Sequence, residues 1–273
     1  MNGDMPLAGG MFCLKGARMI KVAVIGCFGR MGQAVVDAVN EAEDMELVCG
    51  VDLQAREGSG FPVYGSVAEA LDNQQFDVMV DFTQPNSVEA NIRAALPKGV
   101  HCVIGTTGLS DATLADLESI CPENTCLFIA PNFTIGAVLM MEFAKQAAKY
   151  FPEAEVIEYH HCNKKDAPSG TATRTAALIA QNRDFTSQAP GAETEIKGAE
   201  GARGALVNGV PVHAVRSMGF VASQEVVFGS MGQTLTIRHD SWDRASYMPG
   251  VLLAIRQMNH CQGLIVGLEN LMA

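Results

Sequence analysis

The chain has 273 residues, 48% of them hydrophobic and 18% charged, with a formal net charge of −11, so it can bury a core for one large domain or two ordinary ones. That acidic balance argues against a nucleic-acid partner, because phosphate binding depends on clustered Lys and Arg. No apolar run approaches the roughly 20 residues of a membrane helix, the apolar stretch at 11–14 is too short and wrongly flanked for a signal peptide, and eight scattered cysteines without a CxxC pair read as reduced thiols, so no membrane association and a cytoplasmic location are expected.

Residues 1–18 show neither helical nor strand period and read as a loose N-terminal extension, with Met19 as an alternative start. From Ile20 the pattern is regular. The apolar strand "IKVAVIG" is followed by a glycine-rich turn and a helical stretch at 33–42, with Val35, Val36 and Val39 on one side. A second strand, "MELVCGVD", comes next, and further strands are predicted at 76–82, 100–105 and 125–130, with helices at 86–96 and 110–120 between them. Strands apolar nearly throughout are covered on both faces. Right-handed helical crossovers then give a Rossmann-like, doubly wound parallel α/β sheet, with its ligand crevice beyond the carboxyl ends of the strands.

The residues just after each strand therefore carry the functional reading. "GCFGRMG" places Gly26, Gly29 and Gly32 ahead of a helix, where backbone amides and the helix dipole suit a pyrophosphate and Arg30 adds charge. The spacing is GxxGxxG rather than GxGxxG. Asp52 ends the second strand twenty residues past Gly32, where a carboxylate accepts hydrogen bonds from the adenosine ribose. Leu53 follows it and the nearest guanidinium is Arg56, which favours NADH over NADPH. "DFTQP" (81–85), "GTTG" (105–108) and "APNF" (130–133) supply small or polar groups for the nicotinamide and its ribose.

The second half opens with a long helical stretch at 135–150, then a strand "AEVIEYHH" (154–161) and a helix at 171–181. In the connection, Ser169, Gly170 and Thr171 follow Pro168, and exposed amides at a helix start form a cradle for a carboxylate. Ser169 on its own reads as an ordinary N-cap. His160 and His161 point to opposite faces if the strand persists, so one can address a ligand. Lys164 offers an ammonium that binds a carboxylate or donates a proton, while Lys165 is solvated and Asp166 fixes the loop or pairs with a lysine. A zinc site at His160, His161 and Cys162 is disfavoured, because adjacent strand residues diverge and no second ligand cluster is present. A hairpin at 205–216 around Asn208-Gly209 and strands at 224–228 and 233–239 complete a mixed α/β unit. A helical tail from about residue 240 returns to the first half. The expected division is 19–133 with 241–273 for the dinucleotide, and 134–240 for substrate binding and tetramerisation.

"EVIEYHHCNKKDAPSGTA" (155–172) resembles the signature of the dihydrodipicolinate reductase family of lysine biosynthesis, and the resemblance extends over nearly all of 19–273 through "GCFGRMG", "DFTQP", "GTTG", "APNF", "GARG" and the late "GQTLTIRHDSWDRASYMPGVLLAI". It implies reduction of 4-hydroxy-tetrahydrodipicolinate to tetrahydrodipicolinate, with loss of water and with NADH or NADPH as reductant, by a homotetramer. It implies His160 as acid/base residue, Lys164 as proton donor, His161 as a substrate contact, and Gly170 and Thr171, joined by Ser169, as the carboxylate-binding helix start. Cofactor contacts are implied for Gly26, Cys27, Phe28, Gly29, Arg30, Met31, Asp52, Gly105, Thr106, Thr107, Ala130, Pro131, Asn132 and Phe133. No metal is implied. Two departures stand out: Cys27-Phe28 where small residues are common, and Ser223 where the family often shows histidine. With cofactor and proton donors in separate units, closure about hinges near 133–134 and 240–241 is expected.

Overall fold

The computed structural model describes residues 18–54, 58–183 and 201–272, so residues 1–17 of the extension and Arg56 lie outside the described residues. β1 (Ile20–Ile25) runs through the glycine turn into α1 (Arg30–Glu41) and β2 (Met45–Val51). The alternation continues with β3 (Val63–Tyr64), α2 (Val67–Asn73), β4 (Val78–Asp81), α3 (Pro85–Ala95), β5 (His101–Ile104), α4 (Asp111–Ser119) and β6 (Cys126–Ile129). Next come α5 (Ile135–Ala147), β7 (Glu153–His160), α6 (Gly170–Asn182), β8 (Ala205–Val207), β9 (Val210–Arg216), β10 (Ala222–Ser230) and β11 (Gln233–Ser241). α7 (Met248–Gln257) and β12 (Gly263–Val266) follow. No helix among the described residues is long and apolar enough to cross a membrane.

The first sheet is parallel with strand order β12-β6-β5-β4-β1-β2-β3. Read from the other edge, the first six strands give the doubly wound order, which reverses direction between β1 and β4 and opens a crevice there. Its strands are apolar on both faces because both faces are covered. Val22, Val24, Val78, Val80, Val103 and Phe128 belong to one core with α1, α5 and α7, while Ala23, Ile25, Met79, Ile104 and Leu127 belong to another with α2 and α3. Each large side chain removed from water here contributes about 1.5–3 kcal/mol.

The second sheet is mixed, in the order β11-β10-β7-β9-β8, with β7 and β9 parallel and the other neighbours antiparallel. Val156, Val212, Val226 and Phe228 pack on one face against Ala144 of α5, its C-cap Ala148, and Ala172, Ala176 and Ile179 of α6. Asn208 (φ 50°) and Gly209 (φ 77°) form the two left-handed positions of the β8–β9 hairpin turn.

Two differences from the sequence expectation matter. The tail is not wholly helical: its strand β12 pairs with β6 and covers that edge of the parallel sheet. The predicted strand at 154–161 ends at His160, because the backbone turns there, with the Lys164 amide donating to the His161 carbonyl at 3.1 Å.

Candidate active site

The glycine turn after β1 uses most of its own amides to hold its shape. The Gly26 and Cys27 amides donate to the Val51 carbonyl at 2.7 and 3.3 Å, that of Gly29 to Gly26 O at 2.9 Å, and that of Phe28 to Asp52 Oδ2 at 3.1 Å. The amides of Arg30 and Met31, at the first helical positions of α1, have no partner within the helix, and a helix start of this kind can receive an anion. Gly26 has a φ of 74°, and a Cβ at Gly32 would overlap the Gly26 carbonyl, so the helix start can approach the strand end only with glycine there. The Cys27 side chain is buried in the core, which leaves that position only a backbone contribution. Asp52 sits half-buried at the end of β2, its second oxygen accepting from the Gln54 amide at 3.1 Å.

At the next strand ends a buried carboxylate organises the loops. Asp81 is 0% exposed and accepts from the Thr83 amide (2.8 Å), Thr83 Oγ1 (2.7 Å), Thr106 Oγ1 (3.0 Å) and Asn91 Nδ2 (2.8 Å). It ties the end of β4 to the turn after β5. A Cβ at Gly105 would run into the Phe82 ring, which packs against Phe133 at a centroid distance of 5.4 Å. Ala130 and Phe133 are buried and support the turn from beneath, whereas Thr107, Pro131 and Asn132 line a cavity.

From the second sheet, β7 and the loop after it bring the opposing groups. Residues two apart on a strand share a face, so Glu158 and His160 lie together, and Tyr159 points the other way to Glu225 (2.9 Å). His160 Nδ1 approaches Glu158 Oε2 to 2.6 Å, although the contact falls short of a straight hydrogen bond. Glu158 Oε1 accepts from Arg216 Nη2 at 2.9 Å and from the Ser169 amide at 3.1 Å. Burial alone would raise the Glu158 carboxyl, but the close His160 ring and the hydrogen bonds from Arg216 and Ser169 outweigh it and hold the pKa down at about 2.

The turn after β7 separates the two histidines. His161 is exposed and does not reach the cavity, while Lys164 folds back to line it, with Nζ bound to both oxygens of Asp166 at 2.7 and 3.0 Å. Ser169 caps α6, its hydroxyl accepting from the Ala172 amide at 3.2 Å. The Gly170 position is open, with nothing to obstruct an approaching group. Thr171 Oγ1 accepts from Asn132 Nδ2 at 3.4 Å, across from the β6 end.

The cavity, about 480 Å³, thus joins Thr107, Pro131 and Asn132 from the parallel-sheet side with His160, Lys164, Ser169, Gly170 and Thr171 from the other. The remaining predicted cofactor residues, from Gly26 to Met31 with Asp52, Gly105 and Thr106, lie along the strand ends outside its wall. Sequence reasoning missed several lining groups. Arg174, one turn along α6, is paired with Glu269 at 2.6 Å, and His239, whose pKa burial lowers, packs against Gly136. Ser223 and Gln224 of β10 also face the cavity. The pairing of Glu158 with His160 was foreshadowed by their spacing; Arg216 had no local signal.

A family model described as dihydrodipicolinate reductase, N-terminus, matches residues 20–133, and one described as dihydrodipicolinate reductase, C-terminus, matches residues 136–272. A 4-hydroxy-tetrahydrodipicolinate reductase of Listeria welshimeri is 48% identical over 264 residues, covering 93% of this chain and 100% of that protein. A protein of the same name from Mycobacterium sp. (strain KMS) is 47% identical over 256 residues, covering 93% and 99%. Among solved structures, a dipicolinate-bound dihydrodipicolinate reductase from Paenisporosarcina sp. TG-14 is similar with a TM-score of 0.85 and 42% identity, over 92% of this chain and 99% of that one. A probable dehydrogenase from Thermotoga maritima, at 13% identity and a TM-score of 0.63 over 92% of each chain, shares the fold alone.

Proposed function

The chain belongs to the dihydrodipicolinate reductase family, and from that premise we propose that its cavity reduces 4-hydroxy-tetrahydrodipicolinate to tetrahydrodipicolinate in diaminopimelate and lysine biosynthesis. It is an oxidoreductase using NAD(P)H. The observation that carries the reading is the meeting of His160, Lys164 and the α6 start with the β5 and β6 ends in one cavity. A dicarboxylate fits such a wall: one carboxylate lies on the amides of Gly170 and Thr171 with the Thr171 hydroxyl, and cationic groups stand beside it.

The chain's own groups fit a dinucleotide. Arg30 and Met31 offer amides at the α1 start, Gly26 and Gly32 clear the approach, and Asp52 stands at the ribose position. NADH is the favoured form, since Leu53 follows Asp52. When bound, the reduced nicotinamide supplies hydride to carbon 4 of the ring after the hydroxyl has left as water. The resulting electron density at carbon 3 takes a proton, and His160 or Lys164 holds that proton within reach. Lys164 exchanges Asp166 for the substrate as it does so. His161 contributes a substrate contact only if the 161–164 turn rearranges on binding.

We assign 19–133 with 241–273 to cofactor binding and 134–240 to substrate binding and tetramer formation in the cytoplasm. Leu206, Val221 and Leu235 are exposed apolar groups on or beside the second sheet, which supports assembly through it. The test is steady-state oxidation of NADH and NADPH, side by side, with freshly generated 4-hydroxy-tetrahydrodipicolinate. Turnover with a higher kcat/KM for NADH is expected. Tight cofactor binding without turnover rejects the reading, and undiminished activity in a H160Q/K164A chain moves it to another small dicarboxylate.

A further inference from the structure

Glu158 has no exposed surface, yet no step above uses it. Its two oxygens face groups from three different elements: the Ser169 amide at the start of α6 donates at 3.1 Å and Arg216 Nη2 on β9 at 2.9 Å, while His160 Nδ1 on β7 stands 2.6 Å from the other oxygen, close but not aligned as a straight hydrogen bond. The same Arg216 nitrogen donates to the Asp166 carbonyl at 2.8 Å, and Asp166 holds Lys164. One carboxylate therefore touches, directly or through one residue, the imidazole, the anion cradle and the loop bearing the ammonium. A buried acid that merely balanced Arg216 would need none of the other contacts.

We propose that Glu158 is a positioning residue that sets the tautomer of His160 and fixes its distance from the carboxylate-binding start of α6. The geometry gives the reason. A carboxylate only accepts, so a neutral His160 facing it carries its proton on Nδ1 and presents the Nε2 lone pair to the cavity, where it can accept a proton and hand it on; the neutral tautomer protonated on Nε2 is too weak an acid to do so. The Ser169 amide on the other oxygen locks the first turn of α6 to the same group, so acid and cradle move as one body. This inference rests on the reductase reading given above.

The experiment compares the full chain with its E158Q, H160Q and E158Q/H160Q forms. In E158Q the amide oxygen keeps the site facing Arg216 and Ser169, which both donate. The amide NH2 is then turned to His160 and demands an acceptor there. The expected result is a switch of the His160 ¹⁵N signature from the Nδ1-protonated to the Nε2-protonated tautomer. With it comes a fall in kcat of about 10- to 100-fold, with KM for NADH changed by less than about twofold. On the H160Q background the same substitution lowers kcat by less than about threefold, since residues acting as a unit are not additive. E158D keeps the charge opposite Arg216 but is one methylene too short to hold all three groups; it gives the same loss and serves if E158Q does not fold. An E158Q protein with an unchanged tautomer, with kcat within about threefold of the parent, or with a penalty that multiplies fully with that of H160Q overturns the proposal. If the parent chain does not turn over, the reductase reading fails, and the ¹⁵N comparison still decides for or against Glu158.

Discussion

Asn132 Nδ2 stands 3.4 Å from Thr171 Oγ1, a single long hydrogen bond joining the end of β6 to the first turn of α6 in the wall of the cavity. In the proposed function, a carboxylate arriving on the α6 start would take over the threonine hydroxyl as a donor. Thr171→Val keeps the shape and removes that donor. Dipicolinate binding, read by calorimetry, is expected to weaken by about 5- to 30-fold, or about 1–2 kcal/mol, with NADH affinity unchanged.

His160→Gln and Lys164→Ala each remove one candidate proton source while leaving the glycine turn and Asp52 untouched. Each is expected to lower kcat by about 100-fold or more. Cofactor affinity, measured by quenching or calorimetry, stays as in the parent. A larger effect on KM than on kcat would make the side chain a binding group instead.

Asp81, itself 0% exposed, satisfies four donors. Asp81→Ala strands the hydroxyls of Thr83 and Thr106 and the amide of Asn91, and each orphaned donor carries a desolvation cost. Unfolding stability in urea is expected to fall by about 2–4 kcal/mol. The KM for the cofactor rises as well, because the loops after β4 and β5 lose their common anchor.

The Glu158 carboxyl is depressed from 4.5 to about 2 in the folded chain. A depressed acid stabilises the fold above its unfolded pKa and loses that contribution as pH falls through the folded value. Stability from this group is thus full above about 4.5 and drains away towards about 2. Urea midpoints followed down through that window should fall more steeply for the parent than for E158Q.

The parallel sheet was legible because β1, β2, β4, β5 and β6 are apolar on both faces, a pattern that few other settings tolerate. β3 and α2 were passed over because two and seven residues carry little periodicity. A capping signal was present even so: Ser66 accepts from the Glu69 amide, and Glu69 Oε2 reaches back to the Gly65 amide at 2.9 Å. β12 was read as part of a helical tail, since a glycine and three apolar residues do not distinguish strand from helix without knowing that β6 needs a neighbour.

At the site, the stretch 158–171 displayed its titratable and hydroxyl groups openly, but the opposite facing expected of His160 and His161 on a continuing strand is replaced by a turn that begins after His160. The turn that exposes His161 and returns Lys164 depends on one backbone hydrogen bond between 164 and 161, which has no compositional mark. His239 lines the cavity from a distant part of the chain, Arg216 reaches Glu158 from β9, and Arg174 in the cavity wall pairs with the remote Glu269. Their partnership is a product of the fold, so only the three-dimensional arrangement reveals it.

β12 sets a condition on how the protein is made. During synthesis from the N-terminus, β6 emerges with its outer edge bare, and it stays so until residues 263–266 leave the ribosome. The strand that precedes Pro131 and Asn132 is therefore a sticky template for other nascent chains throughout that interval. Slowing translation between β6 and β12 should accordingly lower the soluble yield.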